Sequence, residues 1–223
     1  MHLSWTVFLL TGCLLRPVIA PGQTTDPPDG EKWVKKKEAG GIAVFEGKAA
    51  QGDYKHLKAQ MTLPATPLRR LATQVMDVEG YKDWVDRTRE AHVIERVNDT
   101  LQYYYAIVDL PALKDRDMVA EFKIHQDQAT KAVTTVAVGV PGRHPPDRRF
   151  ERIPDFTSSW TFIPLPDGSV QVEYRGTVPD DWMYSLAKSL IWGGLHRTLS
   201  NLRDQVRQDA KRKVPVAFIA EPN

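Results

Sequence analysis

The side chains able to do chemistry are scattered along this 223-residue chain. Its six histidines, at positions 2, 56, 92, 125, 144 and 196, never fall at a spacing that would share a metal ion. His56 and His125 fall on outward strand positions by parity. No His-Glu-x-x-His, Gly-x-Ser-x-Gly or Gly-x-Gly-x-x-Gly run is present, so the local signatures of zinc proteases, serine hydrolases and dinucleotide binders are missing. Cys13 is the one cysteine and sits in the N-terminal apolar run, which leaves the rest of the chain without thiol chemistry or an internal disulfide. Asp115 and Asp117 flank Arg116, an arrangement that reads as a loop ion pair. No catalytic residue, metal or cofactor is expected.

The aromatic residues carry more information. Tyr103, Tyr104 and Tyr105 are consecutive, so both faces of one strand carry rings. Phe122, Phe156, Trp160 and Phe162 fall on positions assigned inward. Any one of these rings also fits plain core packing. Together they suit a cavity of roughly 300–1,000 Å3 for an apolar molecule. The candidate ligand-binding set is Trp84, Tyr103, Tyr105, Phe122, Arg152, Trp160, Phe162, Tyr174, Leu186 and Leu190. Arg152 shares strand parity with Trp160 and Phe162. An inward Arg152 needs a partner, because an unpaired buried charge is costly; Asp155, Glu173 or a ligand phosphate or carboxylate would serve.

Periodicity places the elements that must hold these residues. Glu31 to Glu38 reads as a short charged helix ended by Gly40-Gly41. Strands are expected at 42–46 and 56–63; in the second, Leu57, Ala59, Met61 and Leu63 alternate with polar residues, as in a half-buried antiparallel strand. Thr66 reads as the N-cap of a helix with Pro67 at its first position. Further strands are expected at 92–97, 102–108, 118–125, 131–140, 149–165 as one long strand, and 170–176. A Pro-rich loop from Arg143 to Asp147 sits between two of them. One long helix follows, from about Asp180 to Lys211, capped by Asp180 or Asp181. Met183, Leu186, Leu190, Leu195, Leu199, Leu202 and Val206 form its expected apolar stripe, with Gly193-Gly194 as a hinge or a packing contact. The fold class is therefore α+β: an antiparallel sheet covered by a long C-terminal helix.

Residues 3–15 are an apolar run too short to span a bilayer and suited to a secretory leader. Small residues at Ala20 and Gly22 offer a cleavage site. Leu10-Thr11-Gly12-Cys13 also resembles a lipobox, so lipid anchoring through Cys13 is the alternative to plain release. The expected organisation is a leader at 1–22, a linker at 23–32, a ligand-binding domain at 33–211 and a tail at 212–223, in a secreted or periplasmic protein. The full chain carries a formal charge of +2; without residues 1–22 it has 29 basic and 28 acidic residues, too small an imbalance to attract nucleic acid.

Four segments resemble the START domain, the steroidogenic acute regulatory protein-related lipid-transfer family, in its bacterial single-domain form. They are Tyr81-Lys82-Asp83-Trp84-Val85, Leu110 through Val119, Arg152 through Trp160-Thr161-Phe162-Ile163-Pro164, and Val178-Pro179-Asp180-Asp181-Trp182-Met183. The resemblance implies a helix-grip fold, in which a curved antiparallel sheet wraps a long C-terminal helix around one lipid or other hydrophobic molecule. It also implies a loop at 140–147 beside the tunnel mouth. The function expected is lipid carriage by a monomer with transient membrane contact; the alternative is a cyclase-like enzyme of the same superfamily. The acidic and basic pair that sterol-binding members hold on neighbouring strands is absent near Tyr104, Tyr105 and Phe122.

Overall fold

A computed structural model describes residues 32–48, 53–111, 114–208 and 216–222. The leader with Cys13, the linker to residue 31 and the 209–215 junction lie outside the described residues. Ten strands form one sheet: β1 Val34–Ala39, β2 Ile42–Lys48, β3 Tyr54–Leu63, β4 Thr88–Asn98, β5 Leu101–Val108, β6 Arg116–Gln126, β7 Val133–Gly139, β8 Glu151–Arg152, β9 Thr157–Pro164 and β10 Val170–Pro179. The order across it is β1-β2-β3-β10-β9-β7-β6-β5-β4, with short β8 beside β6. Helix α1, Leu68–Met76, and a 3-10 turn, Val78–Asp83, connect β3 to β4. Helix α2, Trp182–Arg207, follows β10. The α+β helix-grip architecture expected from the sequence is the one observed.

Alternation sets the two faces of the sheet. Leu57, Ala59, Met61 and Leu63 of β3 are buried on the concave side with Val170 and Val172 of β10 and Phe162 of β9. Against them pack Leu68, Leu71, Val75 and Met76 of α1 and Leu199, Leu202 and Val206 of α2.

Four local expectations are corrected. Residues 34–39 form strand β1, which pairs antiparallel with β2. Gly40 and Gly41, at φ +57° and +76°, make the tight turn between them, a backbone region that glycine enters without steric cost. The charged residues that suggested a helix are instead those of an exposed edge strand, where charge discourages pairing with another chain. The expected strand over 149–165 is broken: β8 pairs parallel with β6, and β9 begins at Thr157 between β7 and β10. Helix α1 begins at Leu68 with no side-chain cap from its own N-terminus. The Glu221 carboxylate accepts from the Leu68 and Arg69 amides at 2.8 and 3.0 Å, and Thr66 turns to the Pro64 carbonyl. Finally, within the segment assigned to a tail, the described residues 216–222 pack on the core. Val216 and Ile219 are buried, and the Gln126 amide exchanges two hydrogen bonds with the Ala220 backbone.

Candidate functional site

Strand registers arrange the concave side chains into transverse rows. One row runs Val44, Ala59, Tyr174, Trp160, Thr135 and Ile124 across β2, β3, β10, β9, β7 and β6. The next row holds Glu46, Leu57, Gly176, Ser158, Ala137 and Phe122. Its centre is built from small residues, so the sheet floor is lowest there. The Tyr174 ring leans along its strand over Gly176, where a Cβ would meet the Tyr174 hydroxyl at 2.8 Å. A side chain on residue 176 would therefore displace the ring.

Above this floor the aromatic rings form a continuous set. Trp160 contacts Tyr174 at 5.0 Å between centroids and Trp84 at 5.8 Å; Trp84 meets Tyr81 edge-on at 5.4 Å. Tyr81 continues to Tyr104 at 5.9 Å, and Tyr104 to Phe122 at 5.7 Å. Burial pushes the Tyr81, Tyr104 and Tyr174 phenols above their ordinary value, so all three are neutral at physiological pH. Tyr81 donates to the Val75 carbonyl at 2.7 Å. Tyr174 lies deep in the sheet yet keeps part of its surface uncovered, as do Ser158 and Gly176 beside it. Uncovered surface on the concave side of central strands marks internal space between sheet and α2. Among the described residues, no ionic side chain occupies the concave positions of β7, β9 or β10. Charges collect at the rim instead, as the pairs Lys36–Glu46 at 3.4 Å, Lys55–Asp180 at 3.0 Å and Arg116–Glu151 at 3.1 Å. No group of three His, Cys, Asp or Glu side chains among the described residues is arranged to hold a metal.

Helix α2 covers this interior unevenly. Its C-terminal half is held by two loops. Arg197 grips both oxygens of Asp86 at 2.7 and 2.8 Å, the Thr198 hydroxyl accepts from the Asp86 amide at 3.0 Å, and Asn201 donates to the Trp84 carbonyl. On the other side, the His196 ring nitrogen contacts the Ala39 carbonyl at 3.0 Å and Arg203 donates to the Gly40 carbonyl at 2.8 Å. The N-terminal half is capped by Asp181, whose side chain accepts from the Tyr184 amide. Its inward residues include Tyr184, bonded to Glu46, and Ala187. Leu186 and Leu190 are 68% and 37% exposed.

Of the residues singled out from sequence, Trp84, Phe122, Trp160, Phe162 and Tyr174 meet on the concave side. Five do not join them. Tyr103 and Tyr105 stand on the convex face: Tyr103 donates to Glu121 under the Arg143 guanidinium, and Tyr105 donates to Asp117. The inward ring of the triplet is Tyr104. Arg152 is likewise on the outer side, bidentate to buried Asp117 at 2.8 Å for both bonds. Its parity with Trp160 fails because the chain leaves the sheet between β8 and β9. Neither Asp155 nor Glu173 is its partner. Arg152 also donates to the Pro141 and His144 carbonyls, strapping the 140–147 loop over the convex face rather than beside a tunnel mouth. Arg116 pairs with Glu151 and Asp115 with Arg89, so the Asp-Arg-Asp run makes three separate bridges. Leu186 and Leu190 leave the interior because nine residues at about 100° each put Leu186 opposite Leu195 on the helix. That phase was readable from spacing. Tyr81 and Thr135, which sequence reasoning missed, had weaker signals: Tyr81 lies in the Tyr-x-x-Trp segment, and Thr135 interrupts an apolar alternation from Val133 to Ala137.

No protein-family model matches the sequence, and no curated protein matches it by sequence. Solved structures do. A STAR-related lipid transfer protein fragment from Xanthomonas axonopodis superimposes with a TM-score of 0.68 at 25% identity, covering 79% of this chain and 99% of that one. Human StAR-related lipid transfer protein 5 gives 0.65 at 17% identity, covering 83% and 89%. The ZhuI aromatase/cyclase from a Streptomyces species gives 0.50 at 15% identity, covering 74% and 98%.

Proposed function

We propose that this chain, a domain of the START helix-grip type, is a non-enzymatic carrier that encloses one lipid or other hydrophobic molecule between the sheet and α2. The observation that carries this reading is the neutral aromatic lining over a recessed floor, beneath a helix held more densely at its C-terminal half than at its N-terminal half. Burial of apolar surface would drive uptake, at about 25 cal/mol per Å2 removed from water. The likeness to lipid transfer proteins supports the same reading. An enzyme of the aromatase/cyclase kind needs an acid or base at the reacting atom. The central lining offers neutral phenols, hydroxyls and indoles, which suit holding better than proton transfer.

The opening is assigned to the N-terminal half of α2. Segments with few buried contacts open at low free-energy cost. Leu186 and Leu190 are placed there to meet the surface of a donor membrane during exchange. Export is part of the proposal, on the strength of the apolar run at 3–15: the chain isolated from its own host should begin after Ala20 or Gly22, and an intact Met1 would contradict it. The main test is native mass spectrometry of the full chain purified from that host, followed by lipid extraction. One apolar molecule per monomer is expected. A protein free of lipid that also fails to move a fluorescent lipid between vesicles would overturn the carrier reading.

A further inference from the structure

The stretch of α2 from Tyr184 to Trp192 lies between two fixed points. At its start the Asp180 amide donates to the Asp53 carbonyl at 2.7 Å, and Lys55 pairs with Asp180 at 3.0 Å. Beyond Gly194 the helix is gripped by Asp86 and the Gly40 carbonyl. Between them Ser185, Leu186, Lys188, Ser189 and Leu190 are exposed, whereas Tyr184 and Ala187 are buried. The Tyr184 hydroxyl donates to the Glu46 carboxylate. The second carboxylate oxygen meets the Lys36 ammonium at 3.4 Å. Glu46 stands at the rim of the row that holds Gly176, Ser158 and Ala137. Lys36 reaches it because β1 is bulged there: the two steps from Lys35 to Lys37 oppose the single step from Phe45 to Val44 on β2. A bulge re-aims the extra side chain out of the strand's alternation. The ammonium so placed also lies 5.1 Å from the centre of the Trp192 ring. One carboxylate thus ties both ends of the same helical stretch to the sheet, Tyr184 directly and Trp192 through Lys36.

We infer that Tyr184, Glu46 and Lys36 form a latch that holds this stretch of α2 over the chamber, and that release of the latch sets the rate at which ligand enters and leaves. This rests on the carrier reading and adds the control of its opening. The chemistry suits a closure that must undo itself. Apolar packing resists opening in proportion to the surface it exposes again. A phenol and a carboxylate that part take up water instead, so the net worth of their bond is about a ten- to a hundredfold bias toward the closed form. Water reaches the latch before the helix moves, since the Glu46 and Lys36 side chains are 15% and 23% exposed. Burial and the neighbouring Glu46 carboxylate push the Tyr184 phenol above its ordinary value, which keeps it a hydrogen-bond donor at physiological pH. Lys36 is a positioning residue. It holds the carboxylate oxygen that Tyr184 does not use, and its seat over the Trp192 ring adds a cation–π contact to the closure.

The test follows N-phenylnaphthylamine, a neutral apolar dye that brightens on leaving water, mixed with the full-length protein in stopped flow at neutral pH. In Tyr184→Phe, association and dissociation should both speed by at least about fivefold, the lower part of what one such bond is worth. The affinity should stay within about twofold, because a latch biases ligand-free and loaded protein alike toward closure. Lys36→Met, which keeps the stem over Trp192, should speed both rates by about two- to fivefold, and Lys36→Arg should keep the parent rates. Tyr54→Phe removes a phenol bonded to Asp155, away from α2, and should behave as the parent. Faster dissociation alone, with affinity lost, would make Tyr184 a ligand contact and overturn the latch. Parent rates in Tyr184→Phe, or equal acceleration in Tyr54→Phe, would overturn it as well. In all three cases the parent protein still takes up the dye and the carrier reading stands. A parent protein that takes up none would overturn that reading itself.

Discussion

The two halves of α2 belong to one helix but do different work. From Gly194 onward the helix is bolted between the Trp84–Arg87 segment and the β1–β2 turn, and Leu199 and Leu202 are fully buried beneath it. Before Trp192, Asp181 caps the helix, Tyr184 bonds to Glu46, and two leucines face outward. The dense half sits over the large side chains Phe162, Val172 and Met61; the sparse half belongs with the small-residue row of Gly176, Ser158 and Ala137. On the proposed carrier reading both are needed: one end that keeps the fold and one end that yields.

The largest expected effect lies in the bolted half. Leu202→Ala or Leu199→Ala should cost about 3 kcal/mol of stability in chemical denaturation, as truncation of a fully buried leucine does. Leu186→Ala should stay within about 0.5 kcal/mol, as exposed positions do. Similar costs at the two sites would erase the contrast.

A smaller effect is expected where the two halves meet. A Cβ on residue 194 would lie 2.9 Å from Asp86 Oδ2, whereas on residue 193 its nearest neighbour is the end of Arg197 at 3.3 Å. Gly194→Ala should therefore disturb the Asp86–Arg197 grip and lower stability by about 1 kcal/mol after its gain in helix propensity. Gly193→Ala should leave stability equal or raise it by up to about 1 kcal/mol. The pair thus splits: Gly194 makes room for a crossing segment, and only Gly193 is open to a hinge role. Faster or slower lipid exchange in a stable Gly193→Ala protein would assign that role, and unchanged exchange would remove it.

Alkaline pH should weaken the protein through its buried phenols. Burial raises Tyr81, Tyr104, Tyr174 and Tyr184 above the ordinary value of 10.0, and raises Tyr105 to about 12. Each contributes stability that is fully present below pH 10 and lost as pH climbs through its folded value, because the unfolded chain ionises first. Melting temperature should fall between pH 10 and about 12. A flat profile there would show that these hydroxyls are open to solvent. Tyr184→Phe should flatten the fall only in part, since the other phenols lie elsewhere. The smallest change in stability, and the one most specific to function, is expected of Leu186→Ser with Leu190→Ser: unchanged melting, but several-fold slower transfer of a fluorescent lipid from vesicles. Equal transfer would separate the sparse half from membrane contact.

Much of the fold was legible in sequence because it is local. Period-two alternation in 57–63 and 170–174 fixes which residues share a face, and Trp160 and Phe162 follow the same rule on β9. The Asp180-Asp181 pair announces the helix by an acidic cap, which Asp181 supplies; the chain order of strands, short helix, strands and long helix is enough for an α+β sheet covered by a helix, and the resemblance of four segments implied the helix-grip class. What alternation cannot supply is the absolute face of a strand whose consecutive residues are all aromatic. Tyr103, Tyr104 and Tyr105 are equivalent until β5 pairs with β4 and β6, and that pairing turns Tyr104 inward. Arg152 was unreadable for a related reason: its partner Asp117 lies 35 residues earlier, and the break between β8 and β9 resets the parity. Glu221 as the cap of α1 joins positions that only the closed fold brings together. Local periodicity is written in the backbone geometry of each segment, whereas faces, caps and buried partners depend on which distant segments share the core.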